Sequence, residues 1–195
     1  MRFAYIGAPA LVTAYGLARL IDGIDGSKGP GPAWTIGHLF FLVALALFGV
    51  AMVGLWRERR RWFTGAALVA GIVGVVAMAR VVVVDIVVAR GAADRAEMER
   101  EYPKYDDFPG LPDGLGGVLD AVGGVLFPLG LVVLLVHLAI VRRLPWWSPV
   151  LATAGFAAIL ATLDLLPLAG VLLLVALVPM VTGTSRSRVP APLRR

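Results

Sequence analysis

WFTGAALVAGIVGVVAMARVVVVDIVVARG, residues 62–91, carries no charge before Arg80, and then only Asp85 and Arg90. Roughly 20 apolar residues cross a ~30 Å hydrocarbon core, so this run is long enough to span one. A helix that is apolar all round has to lie in a protein core or in a bilayer. The rest of the chain resembles it. Of the 195 residues 59% are hydrophobic and the mean hydropathy is +0.85, whereas soluble domains are about 45–50% apolar. The expected fold is all-α: a polytopic transmembrane helical bundle, with residues 1–195 as a single integral membrane domain.

Similar stretches place six spans, at about 3–21, 34–56, 62–90, 117–141, 148–163 and 165–182. The first is longer than a typical signal-peptide core and reads as a retained helix. Trp34 and Trp56 bracket the second, where interfacial aromatics belong. In the third, Ala66, Ala70 and Gly74 recur every four residues, a small-residue stripe on which another helix can sit closely. Ser148 and Pro149 read as the cap and first position of the fifth. Residues 148–182 would be ~52 Å long as one helix. A tight bend at Asp164–Pro167 is therefore expected, between two short spans or within a buried hairpin. Residues 91–116 form an outer loop that opens with a helical stretch pairing Arg95 with Glu99.

The charges set the expected orientation. Arg2, the RERRR turn at 57–61, Arg142, Arg143 and the tail arginines fall on one side, with most acids on the other. By the positive-inside rule both termini are cytoplasmic. Basic residues are nearly all arginine, which reflects a GC-rich genome, and the expected location is the plasma membrane of a bacterium. The net charge of +5 follows this topology and does not point to nucleic acid. The expected partners are membrane lipids, and the small-residue faces allow a homo-oligomer or a membrane protein partner.

There is no cysteine, which excludes thiolate metal sites and thiol catalysis. With only two histidines, a metal site or a haem is not expected, nor any other cofactor. No P-loop, HExxH, GxSxG or dinucleotide fingerprint is present.

Ionisable residues within spans are costly and mark candidate sites. Counting at 1.5 Å per residue puts Arg80 about 27 Å beyond Trp62, and Asp164 at much the same level beyond Trp147. Arg19, His38, Asp85 and Asp120 fall in this same outer layer, and the middle of every span is uncharged. The candidate ligand-binding cluster is Arg19, Arg80, Asp85, Asp120 and Asp164. Asp85, Asp120, Asp164 and His38 are the candidate acids and bases. Arg80 and Asp85, five residues apart, lie ~140° apart around a helix and cannot pair with each other. Arg80 is expected to reach Asp120 or Asp164, and Arg19 to be a partner for Asp85. Structurally, such aspartates cap helices and such arginines snorkel to headgroups. His137 is expected to snorkel toward the inner face.

Three functions fit. One is a transport-type or accessory-subunit protein with a polar outer cluster. A second is an intramembrane enzyme acting on a lipid or isoprenoid through its aspartates. A third is a scaffold or regulator binding a partner through residues 91–116.

Overall fold

The structure, a computed structural model, describes residues 1–24, 28–105 and 114–183. The elements are α1 (Arg2–Asp22), α2 (Pro32–Glu58), α3 (Trp62–Gly91), α4 (Arg95–Glu101), a 3-10 turn (Tyr102–Tyr105) and α5 (Leu115–Ile140). Then follow α6 (Trp147–Ala161), a second 3-10 turn (Leu163–Leu165), α7 (Leu166–Leu177) and α8 (Pro179–Thr182). The described residues contain no strand. Of the expected six spans, five are long and apolar enough to cross a membrane: α1, α2, α3, α5 and the stretch Leu163–Thr182. α6 has 15 residues, about 22 Å of helix, short of a ~30 Å core.

Local chemistry sets the boundaries. α2 starts with Pro32, whose missing N–H costs nothing in a first turn. α5 follows Gly114 at φ 78, a left-handed conformation suited to glycine. Thr162, in extended conformation, stops α6, and its Oγ1 accepts the backbone N–H of Asp164 at 3.3 Å. The chain thus turns back at the bend expected from Asp164–Pro167. At its other end α6 starts two residues before the expected first position Pro149, and Ser148 does not cap it. Ser148 lies buried inside the first turn with its Oγ unpartnered, because the turn at Pro145 starts the helix at Trp147 and Ser148 no longer stands at the cap position.

Glycine sets the helix contacts. α3 meets α5 along Ala67, Gly71, Gly74 and Ala77. A Cβ on Gly74 would lie 2.8 Å from the Phe127 Cα, and one on Gly130 2.6 Å from the Ala67 carbonyl oxygen. The seam shares Gly74 with the expected stripe but otherwise runs one residue further on; Ala66 is exposed. α1 and α7 cross as closely, a Cβ on Gly16 falling 2.6 Å from the Pro167 nitrogen. Phe48, Leu45, Leu131, Leu134 and Leu173 fill the space between helices. Outside, Phe3, Val76, Val125 and Leu160 are exposed, an apolar belt suited to lipid rather than water.

The start of α1, the end of α2, the turn before α6 and Gly183 meet around one cavity, so they share an end of the bundle. Arg19, His38, Asp85, Asp120 and Asp164 lie toward the other. There Trp34, expected at the interface, is buried with Val88, Ala89 and Met98. α4 packs on the bundle through Met98. Its Arg95 Nε donates to Glu99 at 2.9 Å, the expected pair, and Asp94 caps it by accepting the Glu97 N–H at 2.8 Å.

Candidate functional site

The polar residues at this end form three separate groups. In the first, Arg80 Nη1 donates to both oxygens of Asp120 at 2.7 Å, while Nη2 donates to the Tyr105 carbonyl. This ties α3 to α5 and to the end of the loop helix. Asp120 lies in the second turn of α5 and does not cap it; Gly114 holds that position.

In the second, Asp164 pairs with Lys28 and lies 3.9 Å from Arg19 Nε. The expected Arg19–Asp85 contact does not form, because the turn after α6 brings Asp164 to Arg19 first. Asp164 is half-exposed at the bundle surface and caps no helix.

The third group surrounds Asp85. His38, buried on α2, approaches with Nε2 3.4 Å from Oδ2, and the Tyr102 hydroxyl donates to Oδ1 at 2.8 Å. His38 Nδ1 donates to the Trp34 carbonyl at 2.7 Å. A carbonyl can only accept, so Nδ1 carries the proton and Nε2 faces Asp85. The Tyr102 phenol, held up by burial and by the neighbouring Asp85 charge, stays protonated well above its ordinary range and remains a donor.

Of the candidate acids, Asp85 lines a large apolar space formed by described residues. A chamber of about 280 Å³ lies beneath it, walled by Tyr15, Phe41, Phe48, Met78 and Phe127. Tyr15 stacks on Phe41 and meets the His38 ring edge-on, which continues the chamber wall into the polar group. A groove of about 370 Å³ runs between α5 and α6. Gly124, Pro128, Phe156, Ile159 and Leu160 line both cavities, so the groove adjoins the chamber.

Two partners in these groups, Lys28 and Tyr102, were not expected in these roles. Each lies in a connecting segment, where neither helical spacing nor depth along a span predicts a partner. His137 does not snorkel: its Nε2 is buried and its ring meets Phe63 edge-on. Among the described residues no three acids or histidines are placed to hold a metal ion.

Comparison with protein families, curated proteins and solved structures finds no match. What the molecule does has to be read from its own residues.

Proposed function

We propose that the protein binds an amphiphile within a bacterial plasma membrane, taking a single lipid-like chain into the chamber with its head group at Asp85. The observation that carries this reading is one carboxylate at the rim of an otherwise apolar cavity. Lipid binding sites combine such apolar walls with a few polar anchors. A ~150 Å³ cavity holds benzene, so about 280 Å³ suits a chain of roughly ten carbons. Asp85 and His38 favour a head that donates hydrogen bonds, such as a hydroxyl or an amine. The α5–α6 groove is the route by which the chain enters sideways from the lipid.

In this reading the arginine-rich end faces the cytoplasm, Asp85 sits at the outer leaflet and α6 completes an even number of passes. Arg80 and Asp120 are structural, as is Asp164 with Lys28 and Arg19. The uncharged middle of every span speaks for binding at one end over proton-driven transport. α4, anchored by Met98, is part of the fold, which weakens the case for residues 91–116 as a free docking arm.

The test is extraction in native-lipid nanodiscs followed by mass spectrometry of retained lipid. The wild type should hold one chain-bearing amphiphile, which Asp85→Asn loses and Asp164→Asn keeps. Recovery of the same species from Asp85→Asn, or of none from the wild type, would sink the reading.

A further inference from the structure

At the opposite end of the bundle from Asp85 lies a second cavity, of about 260 Å³, walled in part by Arg2, Arg57, Arg143, Tyr5 and Glu58. Three separate segments bring the guanidinium groups there: the start of α1, the end of α2 and the turn between α5 and α6. That turn is specific. Arg142 takes φ 56, a left-handed conformation uncommon outside glycine, and the Arg143 N–H closes the turn on the Leu138 carbonyl at 2.8 Å. As a result Arg143, and not Arg142, lines the cavity.

Arg2, Arg57, Arg143 and Glu58 make no ion pair among the described residues. Three arginines against one glutamate leave a formal charge of +2 on the wall. Positive-inside topology accounts for arginines at this end but not for their gathering, unpaired, around one concavity. The fifth polar wall residue is Tyr5, which is only 4% exposed. Its hydroxyl lies against the bare Cα of Gly54, where any side chain would collide with it. It has no hydrogen-bond partner among the described residues. Tyr5 lines the same cavity as the arginines, where a phenolic hydroxyl without a protein partner can donate to a bound group.

We propose that this cavity binds a phosphoryl group, held by Arg2, Arg57 and Arg143 with the Tyr5 hydroxyl as a fourth donor. Guanidinium forks match phosphoryl oxygens in geometry and charge. The phosphoryl group comes either from a phospholipid headgroup in the adjoining leaflet or from a phosphate in solution.

The experiment uses the full chain in phosphatidylcholine nanodiscs, with two additions made separately: phosphatidylglycerol in the bilayer or inorganic phosphate in the buffer. Thermal unfolding midpoints and native mass spectrometry are the readouts. A raised midpoint with one retained phosphatidylglycerol identifies the headgroup; a raised midpoint with phosphate alone identifies the soluble source. In either case Arg57→Gln with Arg143→Gln should weaken binding about tenfold or more. Arg59→Gln with Arg61→Gln removes the same charge outside the cavity and should leave binding intact. Tyr5→Phe, which alters no charge, should also weaken it and serves if the double arginine variant does not fold. The proposal is overturned if neither addition raises the midpoint. It is equally overturned if the Arg59/Arg61 variant loses as much binding as the cavity variant, or if Tyr5→Phe binds as the wild type does.

Discussion

Gly123 and Gly124 are neighbours on α5 with opposite surroundings. A Cβ on Gly123 would lie 2.6 Å from the Ala77 Cβ, whereas one on Gly124 would meet nothing within 4 Å. The first belongs to the closed seam with α3, the second to the open groove with α6. One helix therefore carries a face packed backbone to backbone and, one residue round, a face left unfilled. Small residues in a membrane helix mark close approach on one side and access on the other, and sequence spacing does not distinguish them.

The largest expected effect comes from prying the closed seam apart. Gly74→Leu would drive a side chain into the Phe127 backbone. Overpacking costs about 1–3 kcal/mol even where side chains can yield, and here backbone faces backbone. Loss of folded protein on thermal unfolding in detergent is the expected outcome; a midpoint near wild type would mean that α3 and α5 are not held together by that contact.

Next comes the clamp at the end of the same seam. Arg80→Ala leaves Asp120, about a third exposed, without its arginine. Such a partly screened pair is worth about 1–3 kcal/mol, and a double-mutant cycle with Asp120→Asn should return most of it as coupling. Additive effects would mean the two side chains do not act together.

A smaller effect is expected from Tyr102→Phe, which removes the hydrogen bond to Asp85 and should cost about 1 kcal/mol. The sign with pH follows from the raised phenol. Its contribution is complete below the ordinary value of 10.0 and is lost only as pH rises through the elevated one. The stability difference between the wild type and the Tyr102→Phe variant should therefore stay constant from about pH 6 to 9, as far as this phenol is concerned. A difference that vanished within that range would show the phenol ionising early.

The smallest effect on stability, within about 0.5 kcal/mol, is expected from Gly124→Leu, since its side chain enters open space. Yet it would obstruct the groove, so amphiphile retention in nanodiscs should fall while the unfolding midpoint holds. Unchanged retention in a stable Gly124→Leu protein would show that the groove is not the way in.

The all-helical class, the apolar segments and the gathering of polar residues toward one end could be read from the chain, because hydropathy and helical rise act locally. Depth alone left Asp120, Asp164 and Asp22 as partners for Arg80, with the first two preferred, and Asp120 is the one it meets. Depth fails for Arg19, since it gives height along the bundle and not position around it. The turn after Thr162 decides that Asp164 reaches Arg19 and leaves Asp85 to His38 and Tyr102. Ser148 misled for a related reason: its type suits a cap, but the turn at Pro145 starts the helix at Trp147 and leaves Ser148 inside it.

What the sequence by itself determined is a set of helices too apolar for water, with charge confined to their ends and glycine available at their faces. Only the tertiary structure decided which glycines close a seam and which border a groove, and which of five similar polar residues faces an apolar chamber. The physical reason is that cost in a membrane depends on depth, which runs along each helix and is written in residue order. Partnership depends on rotation about the helix axes and on where the loops return, which no single helix specifies.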